Sequence, residues 1–134
     1  MKSHTDLEQS KKLAEFLSPE SADMCWTNHR YGRMRGSMTI SAISIHEYKK
    51  LLESFADSTS LDVFYPCWSL AALFDMLPKF IGDYGKCLYY DVDGYHCGYM
   101  DDGNFMLTIQ ETKADNSVDA CCEMIINLHK LSLL

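Results

Sequence analysis

The stretch that decides the fold is KCLYYDVDGYHCGYMDDGNFMLTIQE (86–111). Apolar and aromatic residues recur at alternate positions in three runs, and two turns containing Asp-Gly separate the runs. Alternation interrupted by tight turns is typical of antiparallel strands joined by hairpins. The sequence therefore predicts a three-stranded β-meander, with Asp93-Gly94 as the loop of the first hairpin and Asp102-Gly103 in the second turn.

The two-residue loop Asp93-Gly94 determines which residues of the first two strands lie opposite each other. Because strand residues alternate between two faces, this register also assigns each residue to a face of the sheet. It pairs Val92 with Tyr95 and Asp91 with His96, and the second turn then pairs His96 with Ile109. The first predicted face carries Cys87, Tyr89, Met100, Phe105, Leu107 and Ile109, with Asp91 and His96 at its rim. The second carries Leu88, Tyr90, Val92, Tyr95, Cys97, Tyr99, Met106 and Thr108. We expect the first face to be the core face, although the second is too aromatic to be left to solvent.

The chain before the meander predicts two helices and further strands. Thr5 and Glu8 have the spacing of a helix-capping box, as do Ser44 and Glu47. The predicted elements are a helix near 6–17, strands at 24–31 and 37–43 joined by a turn at 32–36, a helix from 44 to about 56 and an extended run at 61–65.

The segment PCWSLAALFDMLP (66–78) predicts a core helix. Ser69 is placed to cap it, Trp68 to pack on Leu73, and Pro78 discourages its continuation. Because Ser69, Trp68 and Pro78 each have a structural role, we interpret the segment as a structural element and not as a functional site.

The last predicted helix, 117–131, has only a narrow polar stripe: Asp119, Glu123, Asn127 and Lys130. A helix apolar over most of its circumference requires cover on two sides. This helix and the tyrosine-rich second face predict a homodimer, with Tyr90, Tyr95, Tyr99 or the terminal helix in the contact.

These elements predict one α+β domain over residues 1–134. It would contain an antiparallel sheet of about five strands, including the meander, and three or four helices packed mainly on one face. The hydrophobic content of 47% suits a globular protein. The formal net charge of −7 argues against general binding to nucleic acid or anionic membrane.

The cysteines suggest a reducing compartment. None of the six is spaced as C-x-x-C, and the polar N-terminus MKSHTDLEQSKK has no secretory signal pattern. No apolar run is long enough to span a membrane. We therefore expect a cytoplasmic protein with six free thiols, most of them serving as small buried apolar groups.

Four segments carry a resemblance: EQSKKL (8–13), SADMCW (21–26), PCWSLAALFDMLP (66–78) and DACCEMIINLHKLSLL (119–134). Together they resemble a family of small uncharacterised proteins of gut bacteria and prophage-like regions. The resemblance implies a single cytoplasmic α+β domain from a mobile element. It implies no activity and no catalytic residues, and it does not extend to the arginine-rich turn or the loop at 81–86.

The residue pattern does not favour a metal site or a catalytic site. Zinc bound by Cys87, His96 and Cys97 fails because the register points Cys97 to the opposite face. Asp91, Asp93, Asp101 and Asp102 lack the spacing of a calcium loop. A cysteine nucleophile at Cys121 or Cys122 has no identifiable histidine base. Asp91 and His96 form either a general base or, as we favour, a cross-strand ion pair. We assign no catalytic, cofactor or metal residues.

The one anomaly in charge is that all three arginines, Arg30, Arg33 and Arg35, fall within six residues of an otherwise acidic chain. A guanidinium suits phosphate or carboxylate, although a solvated turn explains the same pattern. The sequence therefore predicts a non-enzymatic protein-binding accessory module of a phage or mobile element. The alternative is a small nucleic-acid-associated protein using this hairpin, and an enzyme of unidentified class is the third possibility.

Overall fold

The computed structural model describes residues 1–27, 41–54, 64–101 and 104–134. The helices are α1 Leu7–Ala14, α2 Ile45–Ser54, α3 Leu70–Met76 and α4 Ser117–Lys130, with a 3-10 turn at Pro19–Ser21. The strands are β1 Met24–Thr27, β2 Ser41–Ser44, β3 Phe64–Cys67, β4 Phe80–Ile81, β5 Tyr84–Asp91, β6 Gly94–Asp101 and β7 Asn104–Ala114. Within these residues, no helix has both the length and the apolar character needed to cross a membrane.

Helices together with antiparallel strands confirm the predicted α+β class. In the described part of the chain the strands form two sheets, in the orders β2-β1-β3 and β4-β5-β6-β7, where the sequence predicted one sheet of about five. The alternation of apolar and polar residues identifies strands but not which strands pair with each other, because pairing between distant segments depends on tertiary packing.

Contacts divide the chain into two compact units. The first unit is Asp6–Ser69, and the second unit is Met1–Thr5 together with Leu70–Leu134. Folding of residues 1–134 as a single domain remains a prediction.

In the first unit, capping groups begin both helices. Asp6 caps α1, because its carboxylate accepts the Gln9 N–H at 2.8 Å while the Gln9 side chain accepts the Asp6 N–H at 3.1 Å. This capping box lies one residue after the predicted Thr5–Glu8 box. Asp is at least as good a cap as Thr, so both registers satisfy the pattern. Ser44 caps α2 as predicted, accepting the Glu47 N–H at 3.1 Å.

Trp68 completes the core of the first unit. Its side chain is fully buried with Leu13, Cys25 and Cys67, and its indole N–H donates to the Ser21 hydroxyl at 3.0 Å. Pro66 lies in β3, an edge strand of the described sheet, where a missing N–H is tolerated. The structural interpretation of the Trp68 segment agrees with this burial.

In the second unit, α4 covers one face of the sheet. It packs on β6, β7 and α3, and its buried residues are Val118, Ala120, Cys121, Cys122, Met124, Ile125 and Leu128. Cys97, Tyr99 and Thr112 are buried on the strands, and the Thr112 hydroxyl donates to the Ala120 carbonyl at 2.6 Å. The two-sided cover that the sequence required for this helix therefore comes from the sheet and α3.

The C-terminal end of α3 is bound by a lysine of β5. Lys86 Nζ donates to the Phe74 carbonyl at 2.7 Å and to the Leu77 carbonyl at 3.3 Å. The same nitrogen lies 4.5 Å from the centroid of the Phe74 ring. A cation at a helix C-terminus satisfies carbonyls that have no partner within the helix and is attracted by the helix dipole.

The meander is present, but the register of its first hairpin differs from the prediction. Tyr90 pairs with Tyr95 and Asp91 with Gly94, so the loop is Val92-Asp93 and not Asp93-Gly94. The shift is two residues, which preserves the face of every side chain. Shifts near Met100 then pair His96 with Lys113, where the sequence predicted Ile109.

The predicted core face is wrong. The face under α4 carries Cys97, Tyr99 and Thr112, so the core lies on the second predicted face. The first predicted face carries Tyr89, His96 and Glu111 and is closed by polar contacts. Both faces are aromatic, and alternation alone does not show which one a distant helix will cover.

Candidate functional site

The polar cluster on the sheet face opposite Tyr99 is centred on His96 of β6. His96 is only 7% exposed, although it lies on the face that α4 does not cover. Tyr89 lies directly across on β5, and its ring stacks on the imidazole with centroids 4.6 Å apart and planes 3° from parallel. This stacked ring excludes water from one side of the imidazole.

Two carboxylates flank the imidazole. His96 Nε2 lies 2.9 Å from Asp91 Oδ1 in a hydrogen bond, and His96 Nδ1 lies 2.7 Å from Glu111 Oε1. The Nδ1 atom makes no aligned hydrogen bond, so its contact with Glu111 is one of charge. The Tyr89 hydroxyl donates to the same Glu111 oxygen, which ties β5 to β7 across His96.

These contacts shift the proton equilibria in opposite directions. The hydrogen bond that His96 donates to Asp91, helped by the charge of Glu111, raises the pKa of His96 above its usual value against the opposing effect of burial. The hydrogen bond from His96 lowers the pKa of Asp91. Burial raises the pKa of Tyr89, and the acceptor Glu111 raises it further, so the phenol stays protonated as a donor.

The geometry favours an ion-pair cluster over a general base. Both nitrogens of His96 face carboxylates, and one face of the ring lies against Tyr89. A general base needs a nitrogen within hydrogen-bond reach of a substrate proton. The 2.9 Å hydrogen bond confirms the predicted contact between Asp91 and His96. The two residues are diagonal neighbours, because Tyr89 lies directly opposite His96.

The cysteines do not assemble a site with His96. Cys87 shares the face of His96, whereas Cys97 lies on the opposite face, as the sequence predicted. That opposite face is the one under α4. All six thiols are free, which agrees with the prediction. Among the described side chains, no three of His, Cys, Asp or Glu are placed to hold a metal ion together.

The thiol of Cys121 is a core group. Cys121 is fully buried and lies in the second turn of α4, which begins at Ser117. A hydrogen bond with Cys97 lowers the pKa of Cys121 and raises that of Cys97. A buried thiol without access to solvent is inert as a nucleophile, whatever its pKa.

The three candidate tyrosines are in different environments. Tyr99 is fully buried, and its hydroxyl donates to the Pro78 carbonyl at 2.6 Å, so it belongs to the core and offers no surface to a partner. Tyr90 is 69% exposed and Tyr95 is half-buried, with ring centroids 4.9 Å apart. Val92, in the hairpin loop beside them, is fully exposed.

The arginine cluster lies outside the described residues. Arg30, Arg33 and Arg35 fall in 28–40, and the turn at Asp102-Gly103 is likewise outside. The interpretations given to both segments therefore stay predictions.

The sequence reasoning missed Glu111 and the role of Tyr89. Glu111 has the same odd-numbered parity as Ile109, the residue predicted to face His96, so its face was deducible from the alternation. Its contact with His96 depends on the irregular pairing near Met100, which no sequence pattern indicates. The alternation predicts the face of Tyr89 correctly but predicts a core position for it, whereas the ring stacks on His96.

Comparisons with known proteins add no relative. A scan against protein-family models and searches of curated proteins and of solved structures found no match to this chain. The resemblance to the family of gut-bacterial and prophage-associated proteins therefore stays an expectation.

Proposed function

We propose that this chain is a non-enzymatic protein-binding module that associates with itself and with a protein partner. In keeping with the sequence resemblance, we propose that it acts in the cytoplasm as an accessory factor of a phage or mobile element. The observation that carries the proposal is the apolar end of the β5–β6 hairpin, where Tyr90, Val92 and Tyr95 cluster with two of the three exposed.

This hairpin end is held in shape by polar groups. The Asp91 carboxylate accepts the Asp93 N–H at 2.8 Å and also accepts the hydrogen bond of His96. Val92 is thereby presented by an ordered turn at full exposure. Exposed aromatic and apolar groups on a preorganised element favour contact with another protein, because less conformational entropy is lost on binding.

The test compares a hairpin variant with a matched control in the native host. Tagged wild-type protein is compared with Tyr90→Ser/Val92→Ser and with Phe80→Ser, which removes another exposed aromatic of the second unit. Captured proteins are identified by mass spectrometry. We expect a partner that persists at about 0.5 M salt, because apolar contacts resist salt, and that is lost only from the hairpin variant.

Other results would overturn the proposal. A partner retained equally by both variants would remove the hairpin end as the binding surface. Nucleic acid in the captured material, released steeply by salt, would support the alternative based on Arg30, Arg33 and Arg35. A native mass equal to one chain at high concentration would remove the self-association part alone.

A further inference from the structure

We infer that two copies of this chain pair through the outer edge of β7, in antiparallel orientation about a two-fold axis at Thr112. The inference deepens the proposed self-association and rests on it. It replaces the predicted tyrosine face and terminal helix as the dimer contact, since Tyr99 is buried and α4 is covered by the sheet and α3 within one chain. The hairpin end with Tyr90 and Tyr95 is then left to the protein partner.

The two edges of the second unit's sheet differ. β4, at one edge, has only two residues, and short edge strands resist pairing with other chains. β7, at the other edge, has 11 residues and is the longest of the described strands. No strand in the described part of the chain pairs with its outer side. A row of backbone donors and acceptors on such an edge is a template for another strand.

Only part of β7 is regular enough to accept a strand. Its pairing with β6 shifts register between Tyr99 and Met100 and again between Met100 and Asp101. Residues 110–114 pair without interruption with 99–95. Bulges disturb the edge near the second turn, so a second strand fits best against 110–114, whose centre is Thr112.

Charge selects the occupant and the register. Glu111 and Lys113 are the charged residues of this regular run, and they lie on the same sheet face. Lys113 is exposed, and the Glu111 side chain stays 35% exposed although its carboxylate contacts Tyr89 and His96. A two-fold axis at Thr112 places Glu111 of each copy opposite Lys113 of the other, at a separation of about 5 Å between Cβ atoms. An axis at Glu111 or at Lys113 would instead oppose like charges, which is destabilising.

The symmetry closes the assembly. Because the contact is isologous, each edge is used once and the two four-stranded sheets become one continuous sheet. Pairing over 110–114 buries less than the roughly 1,600 Å² of a standard interface, so we expect a dimer that dissociates in the micromolar range.

Charge reversal gives a test that is specific to this register. Lys113→Glu opposes Glu111 to a glutamate twice in a homodimer, and Glu111→Lys opposes two lysine pairs. Mixed together, these two variants restore both opposite-charge pairs. We expect light scattering from about 5 to 200 μM to show a dimer for the wild type, at least tenfold weaker association for each variant alone and a dimer for the equimolar mixture.

Two further measurements distinguish a lost dimer contact from a variant that fails to fold. Lys79→Glu makes the same change of charge at an exposed lysine away from β7 and is expected to dimerise like the wild type. Hydrogen–deuterium exchange of the unaltered protein should show protection of 110–114 that increases with concentration. This second measurement does not depend on the folding of Glu111→Lys, which also loses its contact with His96.

The outcomes separate this inference from the proposal beneath it. A wild-type dimer that both charge variants leave unchanged would overturn β7 pairing while self-association stands. A wild-type monomer at the highest concentration would overturn both. A monomer whose 110–114 amides become protected only when host extract is added would assign the edge to a strand of another protein.

Discussion

The two faces of the second unit's sheet are closed by different interactions. Beneath α4, Cys97, Tyr99 and Thr112 are removed from water by packing, and the polar groups of the last two bind carbonyls. On the other face, His96 is almost as well buried, but by a stacked tyrosine and two partly exposed carboxylates. The first face should respond to changes in volume and the second to pH.

The largest effect is expected from a cavity under α4. Leu128 is fully buried, and Leu128→Ala should lower the free energy of unfolding by about 2–5 kcal/mol, measured by urea denaturation. The control is Leu131→Ala, because Leu131 is 53% exposed and its change should stay within about 0.5 kcal/mol. Equal losses from both variants would mean that α4 does not close the core.

A smaller effect is expected from one hydroxyl on the same face. Tyr99→Phe preserves the ring but leaves the Pro78 carbonyl without its donor, so stability should decrease by about 1–3 kcal/mol. Both variants are measured by thermal denaturation, and Tyr90→Phe, at an exposed ring, should be neutral. An unchanged Tyr99→Phe would show that water reaches the Pro78 carbonyl.

The second face is tested by pH. The pKa of His96 is raised in the folded chain, so its contribution is complete below the unfolded value of about 6.5 and is lost as pH rises through the folded pKa. The pKa of Asp91 is lowered, so its contribution is present above about 3.9 and is lost as pH falls. Stability from this cluster should therefore be greatest between these limits.

The measurement is the melting temperature of wild type and Asp91→Asn from pH 3 to 9. We expect the variant to lose much of the decrease above pH 6.5, because Asp91 is the principal cause of the His96 shift. Parallel profiles for the two proteins would contradict the assignment. Leu128→Ala should shift the whole profile downward without changing its shape, which sharpens the contrast between the faces.

The smallest effect is expected where neither face is touched. Ser132 follows α4 with φ of 57°, and the Ser132 and Leu133 N–H groups bind the His129 and Leu128 carbonyls. This is a Schellman motif, in which glycine suits the left-handed residue better than serine. Ser132→Gly should raise stability by about 0.5–1 kcal/mol, and Ser132→Ala should not. Calorimetry would measure both.

Much of the fold was readable because local chemistry decides it. The helix cap at Ser44, the meander and the long last helix each depend on a few adjacent residues. The sequence did not determine the register of the first hairpin, because a glycine is equally suited to the loop and to a strand position where two backbones approach closely. Gly94 lies opposite Asp91 in the ladder, where a Cβ would approach the Ala114 carbonyl oxygen to 2.9 Å. It permits close approach of β7 and is not a loop residue.

The candidate site was half predictable for a related reason. Parity placed Asp91, His96 and Glu111 on one face, so the chemistry of the cluster was present in the alternation. That Glu111 reaches His96 depends on the shifted pairing near Met100, and the choice of covered face depends on how α4 docks. Both are set by tertiary packing, which no local pattern encodes.

Lys86 has a consequence for chemical reactivity. An amine is acylated through its free base, yet Nζ of Lys86 directs its hydrogens at the Phe74 and Leu77 carbonyls and lies against an aromatic ring. Acetylation of Lys86 therefore requires Nζ to leave these two carbonyls. The acetylation rate of Lys86, divided by that of exposed Lys79, therefore measures how often Nζ is released from the end of α3 in the intact protein.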